Sequence, residues 1–537
     1  MVVRDFYSGF DRGKVIPIEG IPMANQFDYL SKRNIYSPEA EALVDVETGK
    51  RYSYRAFNQR ANKVANFLQD VVEFHKGNRL CILAHNRLEY WEAFFGCQKC
   101  GGIFSPLNWR LVARELAGLV DDLSPSVLFY DAEMVSVAIE LKEEVSVERW
   151  VSLDAKKSDL VDSLVYEDQM KKAPSTPPQP VDLSYEDPMG IVFTGGTTGL
   201  PKGAMITYRQ VAYNTLSTIR DALPGDIYIN HLPLFHVGGL YVYAVPLFIL
   251  GGKVIQMKRW DLDLVVKVIN KEKPNFFFAV PTQYRMMMNH PEFKSIDFSD
   301  VRFLTSGGEP LPLDIIRTFR ETHGVDFKQG FGMTEVGPGC FALDPWDAER
   351  KIGSIGTPNF FIDAKVVDPE TGQNCGANKV GELMFRGPTV TIGYWNRPEL
   401  NKTLLDEGGW FATGDMVYFD DEGYYYVVDR VKDMFISGGE NVYPREIEKL
   451  LEQHSKVGQV QVIGVPDPKW GEVGRAIVIL KTGQTASERE ILDYCEGKLA
   501  KFKIPKSVRF TDSFDSYISG AGKILKRKLR QDFGHED

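Results

Sequence analysis

Cysteine is scarce, at six in 537 residues, which excludes a disulfide-built scaffold. Cys97 and Cys100 form one C-x-x-C, but no second pair stands at zinc-site spacing. Both fall in the apolar helical pattern from Glu89 to Cys100, where small buried residues are the plain reading. Positive charge is not in excess: the formal net charge is −10, which argues against a nucleic-acid partner. Long apolar runs are missing too. The longest, Leu240 to Leu250, is too short to span a bilayer and contains Pro246. The opening Met1-Val2-Val3-Arg4-Asp5-Phe6 lacks the charged-then-apolar layout of a signal peptide. The closing Gly534-His535-Glu536-Asp537 carries no peroxisomal tripeptide or lipidation signal. A cytoplasmic location without a membrane span is expected.

What is present is the composition of a soluble globular protein, 43% hydrophobic and 25% charged. A chain of 537 residues is too long for one core, so two or more domains are expected. Ser53 followed by Tyr54, Phe57, Ala61, Val64, Ala65 and Leu68 has helical spacing behind a serine cap. Arg79 to Ala84 reads as a buried strand, Gly101 to Asn108 as a strand and turn, and Ser126 to Tyr130 as the next strand. Short strands alternating with helices imply α/β layers around parallel strands. Residues 167–188, rich in Pro, Lys and Asp, read as an exposed connection. Residues 379–430, dense in Gly and Tyr, suggest a small β-rich subdomain attached to a large N-terminal α/β domain. The remainder is long enough for a small C-terminal α+β domain.

The chemistry gathers in Thr194 to Gly203, T-G-G-T-T-G-L-P-K-G. Gly195, Gly196 and Gly199 let the backbone approach a ligand closely. Successive N–H groups in such a loop form an anion-binding concavity, to which Thr194, Thr197 and Thr198 add hydroxyls. Lys202 supplies a mobile charge. The sum is a phosphate cradle, though not the common P-loop, whose lysine is followed by serine or threonine. A flexible glycine linker is the alternative, but a linker has no use for three threonines and a lysine.

Further stretches run from strands into turns, where ligands gather in open α/β sheets. His231-Leu232-Pro233-Leu234-Phe235-His236-Val237-Gly238-Gly239 places a histidine beside two glycines, to line a pocket or to serve structure. Thr305-Ser306-Gly307-Gly308-Glu309-Pro310 and Lys328-Gln329-Gly330-Phe331-Gly332-Met333-Thr334-Glu335 are two more. An aromatic between glycines suits base stacking, and a Thr-Glu pair suits a phosphate and a magnesium ion. Thr413-Gly414-Asp415, Val428-Asp429-Arg430 and Ser437-Gly438-Gly439-Glu440 follow. Near the end, Ser519-Gly520-Ala521-Gly522-Lys523 puts a lysine on a glycine turn, able to reach a neighbouring cleft or to form a basic tail.

In this order, over roughly residues 30 to 530, these stretches resemble the adenylate-forming superfamily of acyl-CoA synthetases, peptide-synthetase adenylation domains and beetle luciferases. The resemblance implies residues 1–431 as the domain for ATP and acid, and residues 432–537 as a mobile C-terminal domain hinged at Lys432. It assigns the loop from Thr194 to Lys202 to the β- and γ-phosphates of ATP. Gly308, Glu309 and Pro310 would border the adenine. Phe331, where the family usually carries tyrosine, would stack on it, flanked by Gln329, Gly330 and Gly332. Thr334 would contact the α-phosphate, Glu335 and Thr198 would hold magnesium, and Asp415 with Arg430 would bind the ribose. Lys523 would bridge the carboxylate and the α-phosphate. Gly438 and Gly439 would face the coenzyme A channel. The reaction implied makes acyl-AMP and pyrophosphate, then acyl-CoA and AMP.

Peptide-synthetase adenylation domains carry an aspartate in the pocket, where this chain has Pro233 to Gly238 without an acid. The sequence around Gly438 looks like that of acyl- and aryl-CoA ligases. By resemblance His236 takes part in catalysis, and the acyl pocket is drawn from His236, Val237, Gly238, Tyr241, Ser306, Gly330, Val336, Gly337 and Cys340. The expected substrate is a medium-chain fatty acid or an aryl or arylpropenoic acid. Loading of a carrier-protein thiol and a ligase-like binding protein are the alternatives. Association as a homodimer stays open.

Overall fold

The structure is a computed structural model that describes residues 26–154, 162–194, 201–308, 311–369, 371–430, 435–442, 444–517 and 526–535. Four sheets organise its strands, of seven, nine, four and five strands. The seven-stranded sheet runs Leu164–Val165, Arg149–Ser152, Val127–Tyr130, Arg79–Leu83, Ile103–Pro106, Pro188–Thr194 and Lys202–Thr207. All its neighbours pair in parallel except the last two, which form a hairpin. Val127–Tyr130 is buried at every position, as a strand covered on both faces requires. The helix Ala113–Leu123 shows the complementary pattern, burying Leu116, Leu119, Val120 and Leu123 along one stripe.

The expected elements fall where the pattern put them. Tyr54–Val71 is a helix whose Ser53 cap accepts the N–H of Ala56. Cys97 lies inside the helix Leu88–Lys99 and Cys100 caps it, both fully buried. The stretch 167–188 differs in part, because its first residues complete the helix Tyr166–Lys172, anchored by buried Tyr166 and Met170. The four-stranded antiparallel sheet, Asp363–Val367, Gly381–Arg386, Phe411–Phe419 and Tyr425–Arg430, is the β-rich subdomain. The smaller C-terminal domain is the five-stranded sheet from Phe435–Ser437 to Ser507–Phe510 with the helices Pro444–Leu451, Glu488–Asp493 and Lys526–Phe533. The boundary expected between residues 431 and 432 lies outside the described residues, as does Lys432.

Two features aim the chain at one place. Phe303–Gly307 and Phe327–Gly332 run parallel in the nine-stranded sheet, with Gly307 opposite Gly330, so both end at the same edge. Phe327–Gly332 then turns back antiparallel against Gly339–Leu343, with Gly332 opposite Gly339 across a register shift. The turn between them carries Met333, Thr334 and Glu335. A Cβ on Gly332 would collide with the carbonyl oxygen of Pro338, so only glycine lets this hairpin close. Gly332→Ala is expected to cost about 1–3 kcal/mol through overpacking, read as a lowered thermal midpoint. An unchanged midpoint would contradict so close an approach.

Candidate functional site

A cavity of about 610 Å³ opens where these strands end, between the N-terminal sheets, the β-rich subdomain and the C-terminal domain. It collects residues far apart in sequence. Thr194 and Lys202 reach it from the two sides of the hairpin, where they pair directly across the strands. The cradle residues between them, Gly195, Gly196, Thr197, Thr198 and Gly199, lie outside the described residues. Gly308, Gly330, Phe331 and Gly332 line a second side, and Thr334, Glu335 and Asp415 a third. Glu309, Pro310 and Lys523 lie outside the described residues, as does the side chain of Arg430. The backbone of Arg430 pairs with that of Asp415 across the antiparallel sheet.

Glu335 is a buried carboxylate held by two hydroxyls. It is 8% exposed, and its Oε1 accepts the hydroxyls of Tyr394 at 2.9 Å and Thr194 at 3.4 Å. Tyr394 also lies beneath Lys202, whose ammonium stands 5.1 Å from the ring centroid. The cradle's lysine and the carboxylate that faces it thus share one tyrosine. Asp415 is buried at a glycine turn; its N–H is held by Thr413 Oγ1 at 3.0 Å, and the Gly414 N–H by Glu382 at 2.9 Å. Phe331 meets Phe341 edge to face, with centroids 6.0 Å apart, which fixes the ring that borders the cavity. Among the described residues no three His, Cys, Asp or Glu side chains cluster as a metal cage.

Across the cavity, Gly438, Gly439 and Glu440 enter from the C-terminal domain. The Glu440 carboxylate is 5% exposed; one oxygen pairs with Arg110, and the other accepts from His236 Nε2 at 3.0 Å. Arg110 is itself layered over Trp109 and Phe235, at 5.0 and 5.7 Å. Burial, then the Arg110 charge, hold the His236 imidazole below the usual histidine range. The Glu440 carboxylate pulls in the opposite direction.

The expected acyl wall divides. His236, Val237, Gly238, Ser306 and Gly330 line the cavity, whereas Tyr241, Val336, Gly337 and Cys340 do not. Tyr241 is 2% exposed and its hydroxyl fills the space beside Gly190, where a Cβ would clash. Cys340 is fully buried in the core of the β-rich subdomain with Val336 and Phe341, and its thiol lies 3.6 Å from the Pro338 carbonyl oxygen. Gly337 ends the short turn after Glu335 in a left-handed conformation at φ 67°. Gln329, expected at the nucleotide, instead accepts the N–H of Leu311 at 3.2 Å. Sequence reasoning missed Arg110 and Tyr394, which sit in no phosphate-like pattern, and gave Glu440, within the Ser437 to Glu440 stretch, no role of its own. It also missed Asn214, Ser217, Thr218 and Asp221, although polar residues at that spacing on a mostly buried helix were a readable signal.

Comparison with known proteins agrees with this arrangement. The family model for AMP-binding enzymes matches residues 31–395, and that for the AMP-binding enzyme C-terminal domain matches residues 446–521. A feruloyl-CoA synthase from an Amycolatopsis species is 36% identical, over 94% of this chain and 98% of that protein. The long-chain-fatty-acid–CoA ligase FadD13 of Mycobacterium tuberculosis is 34% identical, over 94% and 97%. A double mutant of o-succinylbenzoate CoA synthetase from Bacillus subtilis, bound with its product analogue, superposes with a TM-score of 0.83 at 29% identity, covering 94% of this chain and 98% of that one. The chain belongs to the AMP-binding enzyme family, on its acyl-CoA synthetase and aryl-CoA ligase branch.

Proposed function

We propose that this cavity runs both halves of an AMP-forming carboxylate–CoA ligation, with the residues above in stated roles. The observation that carries this reading is Glu440 seated between Arg110 and His236. It brings Gly438 and Gly439 of the C-terminal domain to the same cavity that Thr334, Glu335 and Asp415 line. In the first half a carboxylate oxygen of the acid attacks the α-phosphorus of ATP and pyrophosphate leaves. Two anions meet there, so fixed positive charge and N–H donors are what speeds the step. Lys202 and the loop before it receive the outer phosphates, Thr334 the α-phosphate, Asp415 and Arg430 the ribose, and Phe331 the base. Lys523 comes to the reacting oxygens. The oxygens of Glu335 and Thr194 make a hard-donor corner that suits a magnesium ion, held by Glu335 and Thr198, which would neutralise phosphate charge. In the second half the thiol of coenzyme A attacks the acyl carbon beside His236 and AMP leaves.

The two halves need different partners from the C-terminal domain, so the domain must turn, about a hinge at Lys432. In the structure it is docked with the Gly438–Gly439 turn at the cavity. A buried network holds this docking. Glu115 of the N-terminal domain accepts the N–H of Ala500 at 3.0 Å and the ammonium of Lys503 at 3.0 Å. Lys503 also donates to Glu446 at 2.8 Å. Two carboxylates face one ammonium in a dry interface, so burial pushes Glu446 up to about 7. A carboxylate whose pKa rises on docking takes up a proton as it docks. Docking is then favoured below that value and weakened as pH rises through it.

Three outcomes test the reading. Pyrophosphate release from ATP and magnesium is expected only with a carboxylic acid, and in multiple turnovers only with coenzyme A; a single turnover that added coenzyme A does not extend would point to a carrier-protein acceptor instead. Lys523→Ala is expected to lose about 3–4 kcal/mol in acyl-AMP formation while still converting supplied acyl-AMP to thioester. Glu440→Ala should do the reverse, and equal loss of both halves in either variant would contradict the assigned roles. In Glu446→Gln the ratio of thioester to adenylation rates should lose its decline as pH passes through about 7; a profile parallel to wild type would remove Glu446 from docking.

A further inference from the structure

The acyl end of the cavity has two unlike walls. One is apolar and partly aromatic, made by Val237, Val242, Tyr243, Phe278 and Val280. The other is polar, made by Asn214, Ser217, Thr218 and Asp221. Their spacing puts them on one stripe of the helix Tyr208–Thr218 and its last turn, which the Asp221 N–H closes onto the Thr218 carbonyl at 2.9 Å. Asn214 and Thr218 are occupied by backbone carbonyls, each at 2.8 Å. Ser217 is not: it is 7% exposed and its Oγ has no hydrogen-bond partner.

Beside this stripe stands Lys328, with 4% of its side chain exposed, paired with Asp221 and 3.8 Å from Asp344. Arg220 pairs with Asp344 and lies 3.8 Å from Asp221. Arg302 donates to the Asp221 carbonyl at 2.9 Å. Two cations match two carboxylates, so a substrate with a second carboxylate would bring an unmatched buried charge. Lys328 and Gly330 share a face of Phe327–Gly332. At roughly 3.3 Å per residue, Lys328 lies about 7 Å further in than Gly330. An acid whose carboxyl is at Gly330 therefore ends at Ser217, Asp221 and Lys328. An alkyl tail would press methylenes against this polar end and leave Ser217 unpaired. A flat ring lies against Tyr243 and Phe278, and an oxygen on its far side meets a donor and an acceptor.

We propose that the acid activated here is an aromatic acid with a ring hydroxyl, read by Ser217 and the buried Lys328–Asp221 pair. The proposal rests on the ligase reading above and names its substrate class. The test is pyrophosphate release with coenzyme A across matched pairs: benzoate and its 3- and 4-hydroxy forms, cinnamate and its hydroxylated forms, and octanoate. Hydroxylated members are expected to exceed their parents and octanoate at least tenfold in kcat/KM, since a site built around a hydroxyl rejects what lacks it. Ser217→Ala should shrink that preference several-fold, slowing the hydroxylated acids more than their parents. Turnover of octanoate or of unsubstituted rings within twofold of the hydroxylated acids would overturn the proposal and leave the ligase intact. A Ser217→Ala variant that slows every acid equally would also overturn it. No release with any acid would overturn both readings.

Discussion

The contact on which the rest depends is a single carboxylate between two cationic or proton-donating side chains. Glu440 comes from the C-terminal domain; Arg110 and His236 come from two separate turns of the N-terminal one. Buried charges hold together only when their geometry is complete, and removing one partner leaves the others unmatched in a dry place. That makes the contact a sharp reporter of where the C-terminal domain sits. It also ties the docking of the domain to a histidine that lines the cavity, so the cavity is finished on that side only when the domain is in place.

The cavity itself follows from sheet geometry. Parallel strands deliver successive turns to one edge, and the cradle hairpin, Gly308, Phe331 and the Thr334–Glu335 turn arrive there together. The β-rich subdomain adds Asp415 from below, and the C-terminal domain closes the far side with Gly438 and Gly439. Tyr394 links two of these parts, bonding Glu335 while lying beneath Lys202. The positions of the Lys202 ammonium and the Glu335 carboxylate are thereby coupled through one aromatic side chain.

The fold and the gathering of Thr194, Lys202, Gly308, Phe331, Thr334, Glu335 and Asp415 at one cavity were legible in the sequence because their signals are local. A glycine-rich loop, an aromatic between glycines and a Thr-Glu pair each announce a backbone geometry and a chemistry within a few residues. The acyl wall was legible only in part. Cys340 and Val336 are near cavity-lining residues in sequence, but tertiary packing buries both in the core of the β-rich subdomain. Tyr241 follows the glycines that do line the cavity, yet its ring is spent on packing at Gly190. A polar side of the cavity comes from a helix whose stripe, Asn214, Ser217, Thr218 and Asp221, is read from its spacing and matches no ligand motif. Arg110 was invisible because its partner lies over three hundred residues away, and only folding joins them.

The central claim is that the acid's own oxygen attacks phosphorus in this cavity before the thiol takes the acyl group. Labelling both carboxylate oxygens of the acid with oxygen-18 tests it directly. The account predicts that AMP recovered after complete turnover carries one labelled oxygen per molecule, because the acyl–oxygen bond breaks when the thiol attacks. Unlabelled AMP, or label found instead in ADP or inorganic phosphate, would contradict it.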